Sequence, residues 1–215
     1  MKNKLMYLVA VLFAACVSFS SCSDDDNDDD AGLEGNYKYD NVHFKFEYAK
    51  ETINNVPGGL IPGSDKPTEI PVSVVNKYVP EFAHGKMKEY FNGIKFDSKG
   101  NMEISYNLDG KVQTLKTTYE LKGALMNVSL KSDDFKTLIG NEIPVSHISF
   151  NYKLANNQLT MYLNTEYIKT LLAAVPLILK GISLPQDQQD AIIKLVTEIA
   201  TNTKVLEIGA ILKAE

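Results

Sequence analysis

The three histidines are the side chains in this sequence best suited to acid–base or metal chemistry. His43 and His147 fall on the polar phase of predicted strands, and His84 stands in an Ala-His-Gly stretch where a helix is expected to break. A zinc site needs further histidines or cysteines at short, fixed spacings, and none accompanies these three. We therefore expect solvated surface histidines, no metal and no cofactor.

Paired carboxylates are the other source of catalysis to consider. Asp133 and Asp134 are adjacent, and Glu81 and Glu89 could converge. Glycosidase carboxyl groups must lie roughly 5–9 Å apart across a cleft, which sequence spacing does not show here. The nucleophile, zinc-protease and phosphate-loop motifs (Gly-x-Ser-x-Gly, His-Glu-x-x-His, Gly-x-x-x-x-Gly-Lys) are absent from the sequence. We therefore expect no enzyme, and an unrecognised hydrolase is the third interpretation of the chain.

Tyrosine is the residue type that suggests recognition, with 11 tyrosines and no tryptophan. A tyrosine has an apolar ring face and a polar tip, so it can stack on sugars or contact proteins. Three tyrosines fall on the apolar phase of predicted strands and are core candidates: Tyr106, Tyr119 and Tyr152. Four others are better surface candidates: Tyr37, Tyr39, Tyr78 and Tyr90. Of these, we take Tyr37 and Tyr39 as candidate ligand-binding residues.

The chain begins with a leader over residues 1–21. Two lysines precede an uncharged run from Leu5 to Phe19, which is shorter than the ~20 residues that a membrane-spanning helix needs. Small residues then precede Cys22, as in a lipoprotein signal peptide, and we predict that Cys22 is lipidated. Cys16, which follows two alanines, is the alternative site. A secreted protein with two incidental cysteines is the remaining alternative.

Residues 22–32 form an acidic segment with six aspartates. Like charges repel one another and cannot bury apolar area, so this segment is predicted to be a disordered tether. Cys22 followed by Ser-Asp-Asp-Asp resembles the lipoproteins of Bacteroidetes-type bacteria, in which an acidic run after the lipidated cysteine marks export to the cell surface. The resemblance implies a lipid anchor in the outer membrane and exposure at the cell surface, with the periplasmic face as the alternative.

The charge balance of the remaining chain argues against nucleic acid as a partner. Without the leader and the six tether aspartates, 20 lysines face 21 acidic residues, and every basic residue is a lysine. A near-neutral body does not steer toward nucleic acid. Because arginine is the usual bidentate partner of phosphate, its absence also lowers the expectation of a phosphorylated ligand.

Residues 33–215 are predicted to form a single α+β domain. The sequence Met102 to Leu121 alternates in period two around Asp109-Gly110, which is a strong hairpin signal. Further strands and two helices follow: strands near Ala124–Leu130, Ile148–Leu154 and Leu159–Leu163, helices from Thr165 to Lys180 and after Pro185, and a closing strand over Lys204–Lys213. Tight turns join antiparallel strands, so we predict an antiparallel meander, strongly curved or partly closed, packed with C-terminal helices.

Two segments could serve an apolar ligand. The breaker-rich stretch from Thr52 to Pro71 carries Leu60 and Ile61 as candidate lid residues, and the predicted helix with Leu172 is apolar on nearly all sides. Between these segments, Ser73 to Asn92 is predicted as one or two short helices broken at Pro80 and Gly85.

The opening strand and the meander resemble lipocalin-like barrels. The first strand of those barrels carries a Gly-x-Trp element, and Gly35-Asn36-Tyr37 has tyrosine in place of the tryptophan. That resemblance implies a curved sheet. The chain as a whole also resembles the uncharacterised domain families carried by gut-type Bacteroidetes lipoproteins.

These observations favour a membrane-anchored, non-enzymatic binding module for a glycan, a peptide or a protein. The alternative function is a carrier of an apolar small molecule in a lipocalin-like pocket, with Leu60, Ile61 and Leu172 near the ligand.

Overall fold

The structure is a computed structural model and describes residues 33–57, 68–130, 146–180 and 184–215. Within these ranges it contains ten strands and three helices. The strands are β1 Gly35–Tyr48, β2 Thr52–Val56, β3 Thr68–Pro71, β4 Phe91–Phe96, β5 Asn101–Leu108, β6 Lys111–Lys122, β7 Leu125–Ser129, β8 His147–Ala155, β9 Gln158–Leu163 and β10 Thr203–Ala214. The helices are α1 Val72–Tyr90, α2 Thr165–Lys180 and α3 Gln186–Asn202.

The described residues belong to two compact units. The barrel unit comprises residues 33–44 with Pro80–Asn164 and Ile208–Glu215, and the helical unit comprises Lys45–Val79 with Thr165–Glu207. The long elements β1, β10 and α1 each contribute residues to both units.

Eight antiparallel strands form a closed barrel in the order β1-β10-β9-β8-β7-β6-β5-β4. The predicted antiparallel meander is confirmed, and the sheet is fully closed where we predicted a strongly curved or partly closed one. Closure depends on β1, which pairs with β4 on one side and lies beside β10 on the other. The β1–β10 neighbourhood joins the two ends of the domain in sequence, so a local residue pattern does not predict it.

Tight turns of the predicted kind connect the meander. Asp109 and Gly110 have φ values of 51° and 73°, which is the left-handed backbone that a two-residue type I′ hairpin requires. Asn156 and Asn157 adopt the same conformation, with φ values of 52° and 60°, between β8 and β9.

The inside of the barrel is filled by apolar side chains. Phe96, Leu33, Met126, Leu159 and Leu212 are almost completely buried there and belong to one packed cluster. Phe96 contacts the rings of Tyr37 and Tyr119 edge to face, with centroids 5.7 Å and 4.9 Å apart. Alternate residues of each strand therefore point inward, as the period-two pattern predicts.

In the helical unit, β2 and β3 form a two-stranded sheet at the two ends of the breaker-rich stretch from Thr52 to Pro71. Helix α2 packs on α3, and α3 packs on β2. The buried stripe of α2 contains Ile168, Leu171, Leu172, Val175 and Leu179. These residues recur at helical spacing, so α2 is amphipathic and its burial is ordinary packing within this unit.

The limits of α2 are as predicted, and Thr165 at its start makes a tertiary hydrogen bond. Its hydroxyl accepts a hydrogen bond from the Leu206 backbone N–H at 2.8 Å and lies 3.3 Å from the Leu206 carbonyl. Thr165 therefore fastens the start of α2 to β10.

Helix α1 runs without interruption through Pro80 and Gly85, so the predicted break is wrong. Proline removes one backbone hydrogen bond, and a helix of 19 residues retains the others. None of its residues is buried. The exposed apolar side chains along the helix are Val74, Tyr78, Val79, Phe82 and Tyr90.

Candidate functional site

The last turn of α1 adjoins the β5–β6 hairpin within the barrel unit. The side-chain amide of Asn107 on β5 donates to the Glu89 carbonyl on α1 at 3.1 Å. The amides of Asn92 and Asn107 also exchange hydrogen bonds of 3.1 Å in both directions. Because Phe91 pairs with Tyr106 and Asn107 with Val112, the last turn of α1 lies beside the tip of the hairpin.

Four exposed apolar side chains stand on these adjoining segments. They are Phe82 at 58% exposure, Tyr90 at 41%, Leu108 at 39% and Val112 at 67%. Phe82 and Tyr90 are eight residues apart on α1, so they lie about two turns apart along the helix and about 80° apart around its axis. We call these four residues the apolar patch; Leu108 pairs with Lys111 and Asn107 with Val112, so Leu108 and Val112 lie on opposite faces of the hairpin, close to its tip. Exposed apolar groups on adjoining, ordered elements mark a surface suited to an apolar partner.

The polar groups around the patch are engaged with one another. Lys86 Nζ lies 2.7 Å from the Glu89 carboxylate and 5.8 Å from the centre of the Tyr90 ring. The hydrogen bond from Lys86 lowers the pKa of Glu89 below its usual range. Asn92 and Asn107 bind each other, and Lys86 pairs with Glu89. The polar groups beside the patch are therefore occupied, and its apolar side chains are the main contact surface.

Tyr39, a predicted ligand-binding residue, lies among packed rings. Its hydroxyl is 3.1 Å from Nδ1 of His84, and its ring centre is 5.8 Å from that of Phe91. Burial, and then the charge of Asp40, raise the pKa of Tyr39. Tyr39 is half-buried and joins β1 to α1 and β4. It therefore positions the helix that carries Phe82 and Tyr90.

The predicted solvated state of His84 is therefore wrong, because its ring is half-buried against Tyr39 at a centroid distance of 5.7 Å. His43 is also half-buried, with its ring centre 4.7 Å from that of Tyr162. His147 is exposed as predicted.

The other predicted ligand-binding residues do not meet at one site among the described residues. Tyr37, predicted to lie at the surface, is only 6% exposed and belongs to the barrel core, and burial raises its pKa. Leu172 is buried in the helical unit. Leu60, Ile61 and Cys22 lie outside the described residues. Tyr78 and Tyr90 are exposed as predicted, at 53% and 41%.

One serine lies near a histidine. The Ser146 hydroxyl is 3.0 Å from Nδ1 of His147, its exposed neighbour at the start of β8. A nucleophile–base pair needs a third group to orient the imidazole, and no carboxylate hydrogen-bonds to that ring among the residues described. The described ranges also contain no cluster of three or more histidine, cysteine, aspartate or glutamate side chains that could hold a metal ion.

Sequence reasoning missed Phe82, Leu108 and Val112 as surface residues. For Val112 a signal was present, because Leu115, Thr117, Tyr119 and Leu121 set the inward phase of β6 and Val112 has the opposite phase. A valine on the solvent side of a strand is unusual, and it indicates a candidate surface contact residue. For Phe82 the signal was obscured by the expected helix break at Pro80.

Comparison with known proteins gives no relative of this chain: no family model, no curated protein and no solved structure matches it. Among the described helices, none is both long and apolar enough to cross a membrane.

Proposed function

We propose that this chain is a lipid-anchored, non-enzymatic binding module and that it recognises a protein partner through the apolar patch. The observation that carries the proposal is the exposure of Phe82, Tyr90, Leu108 and Val112 on ordered, adjoining elements of the barrel unit. Aromatic residues are enriched in protein interfaces, and a few buried anchors supply most of the binding free energy.

The chemistry of the patch favours a protein over a glycan. Leu108 and Val112 have no polar atoms in their side chains, so they cannot pair with sugar hydroxyls. A glycan site combines an aromatic face with free hydrogen-bonding groups, and here Asn92 and Asn107 are already paired with each other. An apolar side chain of a protein or peptide partner would desolvate this patch without leaving polar groups unpaired.

The topology of the barrel shows where the chain enters the domain relative to the patch. Gly35 pairs with Phe96, so the chain enters β1 at the end of the barrel that holds the β4–β5 turn. Strand β5 runs from that turn to Asp109-Gly110, so the hairpin of the patch lies at the opposite end. A tether that joins the chain at Leu33 would therefore attach at the end of the barrel opposite the hairpin of the patch.

The proposal is tested by affinity capture with matched variants, followed by purification and binding of each captured protein. Phe82→Asp or Val112→Asp should weaken binding of a true partner by about 30-fold, because an interface anchor contributes about 2 kcal/mol. Gln113→Asp, at the exposed neighbour of Val112, should leave the affinity unchanged. A partner that binds both patch variants as tightly as the unaltered chain would exclude the patch as its binding site. Binding of a glycan that neither substitution weakens would redirect the proposal to a glycan ligand.

The closed barrel favours one second candidate, a carrier of an apolar small molecule. Eight-stranded barrels are wide enough to hold one small ligand, although the described interior is occupied by the cluster around Phe96 and Met126. Native mass spectrometry of the purified chain tests this candidate. A reproducible extra mass that departs on denaturation would support a carrier, and an unliganded mass after mild extraction would count against it.

A further inference from the structure

We propose a second binding site, for a sugar that carries a negative charge, in a surface depression of the barrel unit at the β8–β9 turn. The depression has a volume of about 480 Å³, within the size range of small-ligand sites. Six polar residues line it: Lys153, Asn156, Asn157, Gln158, Thr160 and Lys213. This site is separate from the apolar patch and does not depend on its function.

The strand register brings these side chains to the outer face of the barrel. Leu154, Leu159 and Leu212 pack in the interior, and the residues that alternate with them point outward. Lys153 pairs with Thr160 across β8 and β9, and Lys213 pairs with Gln158 across β10 and β9. The two lysines therefore flank Gln158 and Thr160 from neighbouring strands on either side of β9.

The charge of the depression is positive. Its lining contains two lysines and no carboxylate. Asp40 lies 2.9 Å from Lys213 Nζ and offsets part of one charge, whereas Lys153 is exposed on the opposite side of β9. Two ammonium groups on either side of one concavity attract an anion, and each offers up to three hydrogen-bond donors.

The remaining groups suit a ligand with many hydroxyls. Asn156, Asn157 and Gln158 offer amide donors and acceptors, and Thr160 offers a hydroxyl. Among the described residues the structure gives these four side chains no hydrogen-bond partner, in contrast to the paired asparagines beside the patch. The lining holds no aromatic ring or large aliphatic side chain, so the ligand is polar throughout.

The backbone of the site is fixed before any ligand binds. The type I′ turn at Asn156-Asn157 is closed by β8 and β9, and the Ala214 N–H donates to the Asn157 carbonyl at 2.9 Å. The end of β10 is therefore tied to the turn. A site built on paired strands loses little conformational freedom on binding.

The test is a titration of the isotope-labelled full chain, followed by amide NMR, with sodium glucuronate, glucose 6-phosphate and glucose at constant ionic strength. We expect saturable shifts at residues 155–158 with the anionic sugars and none with glucose. Lys153→Gln and Lys213→Gln should each weaken binding by about two- to fivefold, as expected for an exposed ion pair. Lys111→Gln, at the opposite end of the barrel, is the matched control.

A preference between glucuronate and glucose 6-phosphate would identify carboxylate or phosphate as the recognised group. Three results would overturn the proposal: no saturable shift at the turn with either anionic sugar, equal shifts with glucose, or affinities that neither lysine substitution changes.

Discussion

Glu198 on α3 shows how one side chain holds part of the helical unit together. Its side chain is 9% exposed and accepts hydrogen bonds from the Asn54 N–H at 3.1 Å and the Asn55 amide at 3.0 Å, with Lys50 Nζ 3.6 Å away. Burial alone would raise the pKa of Glu198, but these donors and Lys50 outweigh it and the pKa is lowered. The residue thus fastens β2 to α3.

Glu198→Gln should lower the free energy of unfolding by about 1–2 kcal/mol, because the bonds to a buried carboxylate are charge-assisted. A group whose pKa falls on folding stabilises the protein above its unfolded pKa, near 4.5, and this contribution is lost as pH falls through the lower folded pKa. Urea unfolding at several pH values should show the difference at pH 7 and its decline in acid.

Glu120→Gln is the matched control for that measurement, because Glu120 pairs with Lys122 while both side chains remain about two-thirds exposed. Equal effects of the two substitutions at pH 7, or a Glu198→Gln difference that grows in acid, would contradict this account.

Tyr39→Phe should lower the stability of the barrel unit by about 0.5–1.5 kcal/mol, because it removes one hydrogen bond and keeps the ring. The hydroxyl bonds to His84 at 3.1 Å, so a double-mutant cycle with His84→Ala should show coupling in denaturant unfolding. Additive losses would mean that the two side chains contribute independently.

Gly209 and Gly85 have very different surroundings, so an alanine substitution at each tests the packing of the element that contains it. A Cβ on Gly209 in β10 would lie 1.9 Å from the Met161 carbonyl oxygen and 2.5 Å from the Tyr162 Cα, whereas a Cβ on Gly85 in α1 would meet nothing within 4 Å. Backbone atoms cannot move aside cheaply, so Gly209 permits the close approach of β10 to β9.

Gly209→Ala should therefore destabilise the protein by about 1–3 kcal/mol or more. Gly85→Ala should stabilise it by about 0.5–1 kcal/mol, because alanine loses less conformational freedom in a helix interior. Thermal unfolding of both variants decides the matter, since the expected shifts in Tm have opposite signs. A neutral Gly209→Ala would mean that β10 and β9 are less closely packed than the structure indicates.

The elements whose patterns are local were predictable from the sequence. Alternation and Asp109-Gly110 located β5 and β6, and α2 ends where its apolar run ends. The continuity of α1 was not predictable from breaker residues, because the surrounding turns decide whether Pro80 interrupts a helix. The β1–β10 neighbourhood that closes the barrel joins residues far apart in sequence, so local patterns did not predict it.

The candidate site was only partly predictable, for the same reason. Tyr78 and Tyr90 were correctly expected at the surface, but Tyr37 and Tyr39 lie on the inward phase of β1. The strand changes phase between Tyr39 and Val42, and one sequence does not show which of two phases faces the core. The proximity of Tyr90 to Val112 depends on the β4–β5–β6 register.

At the scale of the whole molecule, the proposed anchor makes a prediction about processing. In a bacterial host that processes lipoproteins, the chain should incorporate labelled fatty acid, and Cys22→Ala should abolish incorporation while Cys16→Ala leaves it intact. Two or more acyl chains are needed for durable membrane attachment, so Cys22→Ala should also move the protein out of the membrane fraction. Loss of label with Cys16→Ala alone would transfer the site to that cysteine.

The central claim is that the anchored molecule meets a protein partner with its apolar patch. The most direct measurement is photo-cross-linking in cells, with a photoreactive amino acid placed at Val112 and, in separate chains, at Thr118, an exposed residue elsewhere on β6. We predict one discrete adduct with another protein from position 112, reduced by Phe82→Asp, and none from position 118. Equal adducts from both positions, or none from position 112, would contradict the account.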